Sequence, residues 1–424
     1  MRRMYRILRK YILEIISLMN NNQTNAENSK RTMLGIILAI IGISAGGLVK
    51  VVFNLTSNTI SIAISVMSVV LMLNTLRHYR AFSRDMGWIV GFYALTLFYA
   101  LLSNRGFSDA HGLLYQLFYF AQILVLWNAK RIDHTKFISY AYHLFLLVNL
   151  LGFFLVYRNA QITGRIAFAT LGNNEIVTRA TVGNIGLILF SACIVYRPKQ
   201  GIHKLLYGFA WFLAIANLLL ASRRTAIVET LIILIIYCIR YKPRINSISS
   251  VIKIVAIVIG MVVAIIVLYL SNSTVRVVVD RSFQMLVSGV NTFVGVDRSD
   301  MGASYRRNVL ETVPHELINT TNVKEIFVGR GFMEGWFDVP YLQAFWDMGL
   351  LGGIFFLIIQ LIIPIKYIMV RSKNPAILFA QCCVVSRLVD NVASGVCYGS
   401  CLYLVMLMVL IIQDREMEAE EITE

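Results

Sequence analysis

Residues 341–365 read YLQAFWDMGLLGGIFFLIIQLIIPI, a run in which Asp347 is the single charged side chain. At 1.5 Å per residue, one helix of that length crosses the roughly 30 Å hydrocarbon core of a bilayer. Eleven further apolar runs recur, approximately over 33–53, 59–76, 86–103, 111–129, 137–157, 178–196, 204–221, 225–240, 250–270, 375–390 and 395–413. The 424 residues are 58% apolar and 15% charged, with a mean hydropathy of +0.69. Soluble proteins carry about 25% charged residues, so a soluble enzyme, a secreted disulfide scaffold and a disordered tail are excluded. Within lipid each backbone polar group must be satisfied inside its own helix. The expected fold is therefore an all-α polytopic membrane bundle of about 12 transmembrane helices, with one long external loop containing short helices.

The chain divides accordingly. Residues 1–31 open with MRRMYRILRKYILEIISLMN, apolar at helical spacing and basic between, and read as an amphipathic segment on the cytoplasmic leaflet. Residues 32–270 hold spans one to nine, 271–340 a large external loop, 341–413 spans ten to twelve, and 414–424 an acidic cytoplasmic tail. Alternate loops set the orientation. With the N-terminus inside, cytoplasmic segments carry 24 of the 39 Lys and Arg residues, and seven of the remaining 15 fall in 271–340. Both termini are then cytoplasmic. The net charge of +16 reads as this topology and not as nucleic-acid binding. Six cysteines without a CxxC pair and six scattered histidines give no metal site, and no cofactor is expected.

The external basic residues are the informative ones. Only Lys50 and Lys324 are lysines, against 13 arginines. A planar guanidinium donates paired hydrogen bonds to phosphate oxygens, which a site for phosphate needs and mere solubility does not. Arg223 and Arg224 stand between two apolar runs in LLLASRRTAIV, where a charge at membrane depth usually marks a functional site or a partnered interior, and snorkelling to the headgroups is the bland alternative. Arg165 and Arg179 flank IAFATLGNNEIVT at the mouth of the sixth span, and Arg306 and Arg307 lie in GASYRRNVLETV. Adjacent helical residues point about 100° apart, so one member of each pair is expected to face the site.

Acid–base groups on the outer side are Glu175, Asp297, Asp300, Glu311, His315, Glu316, Glu334, Asp338 and Asp347. Each has the plain reading of a solvated loop charge. Tyr341, Phe345 and Trp346 form an aromatic patch suited to a headgroup belt or to sugar stacking. Gly349, Gly352 and Gly353 allow close helix packing. Arg387 and Asp390, one turn apart in the eleventh span, are expected to form a buried structural ion pair.

These residues resemble the O-antigen polymerase and O-antigen ligase superfamily of bacterial membrane glycosyltransferases. The resemblance rests on Arg165 before the sixth span, Ser222 to Arg224 before the eighth, GASYRR in the long loop, and YLQAFWDMGLLG at the start of the next span. It implies an undecaprenyl-diphosphate-linked oligosaccharide as substrate, taken from the membrane lipids at the outer face of the bacterial cytoplasmic membrane. It further implies attack of an acceptor hydroxyl on the anomeric carbon with inversion. Arg223 or Arg224 and Arg306 or Arg307 would hold the diphosphate, assisted by Arg165. Asp338 and His315 are the candidates for the base, and a chain-length regulator and a flippase are implied pathway partners. Ligases of this family are similar in carrying a histidine just before the YLQ-like segment, where this chain has Val339 and Pro340. That departure favours a polymerase over a ligase. A flippase is the alternative of a different class.

Overall fold

The computed structural model describes residues 27–42, 59–73, 81–103, 112–129, 132–163, 169–171, 174–177, 179–198, 201–221, 224–241, 269–294, 301–370, 374–393, 395–398 and 402–423, with a few isolated positions between them. Helices occupy nearly all of these runs. The exception in the middle of the chain is a small antiparallel β-hairpin, Ala169–Leu171 with Asn174–Val177.

By length and composition, four helical stretches can cross a membrane: Arg84–Leu102, His134–Leu155, Pro340–Ile368, which is broken at Gly349, and Pro375–Val392. Five shorter apolar helices accompany them, Ile62–Leu73, Leu113–Trp127, Thr181–Val195, His203–Leu219 and Thr225–Cys238. All nine fall on expected spans. The ninth expected span, 250–270, lies largely outside the described residues, as does the amphipathic segment at the N-terminus. The outward faces of the helices are apolar too: Phe98, Leu101, Leu102, Leu150 and Phe154 are all exposed. A soluble helix turns charge outward, so a bundle greasy on its exterior is suited to lipid.

The Pro375–Ala393 helix is the hub. It packs against the helices Leu402–Thr423, Arg224–Tyr241, Arg179–Val195, His134–Thr163 and Pro340–Leu357. Ala376, Ala380 and Cys383 keep its surface narrow enough for close approach. At its centre Arg387 Nη1 donates to Asp390 Oδ2 at 2.6 Å with both side chains buried, the ion pair that the spacing predicts. Asn391 Nδ2 donates to Gln360 Oε1 at 3.0 Å, tying the hub to the neighbouring helix. Arg387→Met should cost about 3–5 kcal/mol, because it strands a buried carboxylate. Adding Asp390→Leu should recover most of that loss, and thermal unfolding of the two variants in detergent measures it.

The bundle has two distinct ends. At one, Asp85 accepts from Lys366 Nζ and, at 2.7 Å, from Tyr367 Oη, while Gln413 Nε2 donates to the Ala129 carbonyl at 2.8 Å. At the other, Tyr99 Oη donates to the Val328 carbonyl and Gln116 Nε2 to the Tyr398 carbonyl at 2.9 Å. Residues 301–339 lie at this second end.

Two expectations require correction. The tenth span is not one straight helix. Gly349 takes φ 61° and ψ −162° inside it, and the Tyr341 hydroxyl donates to the Gln360 carbonyl at 3.2 Å. Those residues are 19 positions apart and would stand about 28 Å apart in a straight helix. The Tyr341 and Phe356 rings also meet edge to face at 5.5 Å. The chain therefore reverses at Gly349, folding a short arm, 340–348, back along a long arm, 350–368. Glycines at 352 and 353 make room: a Cβ on Gly353 would strike the Phe345 ring, and one on Gly352 the Met348 side chain. A π-helical turn at Ile358–Ile362 in the long arm includes Gln360, whose carbonyl receives the Tyr341 hydroxyl.

The second correction concerns the loop 271–340. It contains more than short helices, for Ser273–Val294 has 22 residues and Met301–Asn319 has 19, followed by Val323–Val328. The tail is helical at its start: helix Leu402–Thr423 runs into it, and Asp414 is buried, 3.2 Å from His134 Nε2 and accepting from Asn374 Nδ2 at 3.2 Å.

Candidate anion-binding site around Arg306

The Met301–Asn319 helix is polar on most of its surface and has one packing face. Ala303, Val309 and Val313 are its buried apolar residues, and the latter two pack with Val339, Phe337, Leu342 and Trp346. The positions 303, 306, 309 and 313 follow helical spacing, which puts Arg306 on that inward face. Arg307 falls about 100° away and pairs outward with Glu311, Nε to Oε1 at 3.0 Å. The adjacent arginines are thus resolved: Arg306 faces the 329–339 loop and Arg307 faces away from it.

Arg306 is incompletely partnered. Its Nη2 stands 3.9 Å from Asp338 Oδ2, with side-chain exposures of 32% and 36%. That distance is a loose ion pair and too long for a hydrogen bond. The Arg306 Nε is buried and has no hydrogen-bond partner among the described residues. Asp338 itself sits at φ 54°, in the left-handed region that aspartate tolerates better than most residues. One residue before Arg306, the Tyr305 hydroxyl donates to the Trp336 carbonyl at 2.6 Å and fixes the loop against the helix.

The loop is held from the other side by the helical hairpin. Where the short arm breaks at Gly349, its carbonyls lose their helical donors. The Arg330 N–H donates to the Trp346 carbonyl and the Gly331 N–H to the Asp347 carbonyl, each at 3.0 Å. Asp347 is wholly buried and accepts from the Gly335 N–H at 2.9 Å and from Gln343 Nε2 at 3.2 Å. The same Gln343 donates to the Gly335 carbonyl and accepts from the Cys397 N–H at 3.2 Å. Asp347 is thus a buried anchor for the loop and not the solvated charge its position suggests. Asp347→Ala should destabilise the fold by about 1–3 kcal/mol, since the Gly335 N–H is left buried without an acceptor. Asp347→Asn should cost less, and faster limited proteolysis within 329–339 would report the loosened loop.

Several expected site residues have other duties. Trp346 is covered by the Arg330 guanidinium, 3.5 Å from its ring centroid, and by the edge of Phe337 at 5.3 Å. Arg330 is further neutralised by Glu325 at 3.0 Å and Glu316 at 3.7 Å. Tyr341 is packed within the hairpin. Both aromatics are half-buried and engaged in packing. His315 lies nine positions beyond Arg306, about 180° round the helix, exposed and bonded to Asn319. It does not reach the Arg306 and Asp338 pair. Glu334 is exposed on the loop.

Arg165 and Arg223 lie outside the described residues, with Asp297 and Asp300. Arg179 and Arg224 are the first residues of the helices Arg179–Val195 and Arg224–Tyr241, their side chains outside the description. Glu175 pairs with Thr170 in the β-hairpin. Of the expected constellation, the structure brings together Arg306 and Asp338. Among the described residues no group of three or more His, Cys, Asp and Glu could hold a metal ion. Two clefts, of about 530 and 590 Å³, lie away from this site at the opposite end of the bundle, one beside Asp85 and Lys366 and one beside Asp133.

No family model matches this chain. No curated protein matches it either. Its function is therefore read from the site and from the resemblance of its motifs.

Proposed function

We propose that this protein is a membrane glycosyltransferase that polymerises undecaprenyl-diphosphate-linked oligosaccharide repeat units into surface polysaccharide, such as O-antigen, capsule or exopolysaccharide. The work is done at the outer face of a bacterial cytoplasmic membrane, with about 12 spans and both termini inside. The observation that carries this reading is Arg306, a guanidinium with one buried donor unpartnered and a carboxylate held beside it at 3.9 Å. In the reaction the acceptor hydroxyl attacks the anomeric carbon of the donor sugar and the bond to the diphosphate breaks. Negative charge grows on the leaving diphosphate, where Arg306 meets it with donors already oriented. The acceptor's proton passes to Asp338, whose carboxylate is held only loosely by Arg306 at 3.9 Å and is open to accept it.

The one-ended placement of Arg306 supports a reaction on one face over a transport path reachable from both. The test is direct. Purified protein in liposomes is mixed with the lipid-linked repeat unit, with a chelator and without nucleotide sugar, and the glycolipids are resolved on a gel. A ladder stepping by one repeat is the expected result. A single unchanged band, from folded protein and authentic substrate, would overturn the reading.

A further inference from the structure

The cleft of about 530 Å³ at the end of the bundle opposite Arg306 lies between the Arg84–Leu102 helix and the end of the long arm. Its charged lining is Arg84, Asp85, Lys366 and Glu416, two cations and two carboxylates. Its apolar lining includes Trp88, Ile358 and Ile362. Arg84 opens one apolar stretch and Lys366 stands two residues before the end of another. The charges therefore sit at headgroup depth, where the hydrocarbon gives way to water.

An apolar track leads away from these charges. Ile354 and Ile362 are 48% and 57% exposed, and with the half-buried Ile358 they recur every four residues along the long arm. Side chains at that spacing share one face of a helix. The π-helical turn Ile358–Ile362 forms part of this wall, a local widening that is frequent at functional sites. On the facing helix, Trp88 is fixed by Phe355, edge to face at 4.9 Å.

The charges are not used up by one another. Asp85 accepts from Lys366 Nζ and from the Tyr367 hydroxyl on the same oxygen, Oδ2. Its Oδ1 has no hydrogen bond among the described residues. An ammonium has three N–H donors, so Lys366 keeps two beyond the bond to Asp85. Arg84 is exposed and forms no ion pair among the described residues. A purely anionic ligand would gain from two of these four groups and be repelled by the other two. A ligand carrying both signs is matched by all four.

We infer that this cleft binds one phospholipid with a zwitterionic primary-amine headgroup, the chemistry of phosphatidylethanolamine. Arg84 and Lys366 hold its phosphate, Asp85 and Glu416 accept from its ammonium, and one acyl chain follows Ile354, Ile358 and Ile362. In the proposed orientation this is an inner-leaflet lipid, remote from the glycan chemistry, and the inference stands apart from the polymerase reading.

The experiment titrates phosphatidylethanolamine, phosphatidylcholine and phosphatidylglycerol into the full-length protein in detergent, with bound lipid counted by native mass spectrometry. Wild type should retain one phosphatidylethanolamine about tenfold more tightly than phosphatidylcholine, whose methylated ammonium donates no N–H bond. It should prefer it by a similar factor over phosphatidylglycerol, which has no cation to offer the carboxylates. Arg84→Ala should weaken phosphatidylethanolamine about tenfold, and it breaks no ion pair of the fold. Glu416→Gln should narrow the preference over phosphatidylcholine to about threefold or less. Lys204→Ala, an exposed lysine outside the cleft, should change nothing. Equal retention of the three lipids by wild type would overturn the site in favour of a solvating annulus. Tighter binding of phosphatidylglycerol would overturn it by showing that the cations act without the carboxylates. Phosphatidylethanolamine affinity unchanged in both Arg84→Ala and Glu416→Gln would overturn it as well.

Discussion

Arg306→Ala should abolish polymerisation, lowering the rate by about a hundredfold to a thousandfold, the loss typical of removing an oriented donor from a developing anion. Arg307→Ala should lower it threefold or less. The two residues are chemically identical and adjacent, yet one turns to the loop with an unpartnered donor and the other is spent on Glu311 at the surface. Exposed i,i+4 ion pairs contribute about 0.3–0.5 kcal/mol, so losing the second costs little stability. Rate measurements on both variants, with membrane insertion checked by protease protection, separate the site from the surface. Equal loss in the two would mean that the whole basic segment, and not one guanidinium, carries the effect.

Gly349→Ala should destabilise the protein by about 3 kcal/mol or more and sharply lower the folded yield. Its φ of 61° with ψ of −162° lies in a region that glycine alone occupies comfortably. A Cβ there would also run into the Phe327 carbonyl and the Gly329 nitrogen. Gly329, at φ 82°, stands in the same bind from the other side, against the Asp347 carbonyl. The two backbones approach so closely because loop N–H groups cap the broken arm. Gly87→Ala is the control: that glycine lies inside the Arg84–Leu102 helix and its added methyl would meet nothing within 4 Å. It should gain up to about 1 kcal/mol from helix propensity. Thermal unfolding of the three proteins in one detergent gives the comparison.

Helix positions were legible because a helix buried in apolar surroundings needs only a long enough run of apolar residues. The expected span 86–103 appears as Arg84–Leu102, and 375–390 as Pro375–Ala393. The Arg387 and Asp390 pair was legible for a similar reason, since spacing of one turn forces the two side chains together. The reversal at Gly349 was not. Residues 341–348 are much less apolar than 350–365, but a polar start to a span reads as an interfacial end of a straight helix as readily as a fold-back. The glycines at 349, 352 and 353 read correctly as a sign of close packing, but the partner is the same segment folded back and not a second helix. The fate of Trp346 was hidden too, because Arg330 reaches it from 16 positions earlier in the chain through a loop turned by Gly329 and Gly331. The G-x-G spacing around Arg330 was the available signal.

The central claim is that Arg306 grips a diphosphate, and binding tests it without any chemistry. Undecaprenyl diphosphate, which carries no sugar, would be titrated by calorimetry into wild type, Arg306→Ala and Arg307→Ala in nanodiscs. Arg306→Ala should bind about thirtyfold more weakly than wild type, the factor for about 2 kcal/mol of charge-assisted hydrogen bonding. Arg307→Ala should stay within threefold. Equal affinity in wild type and Arg306→Ala would contradict the claim.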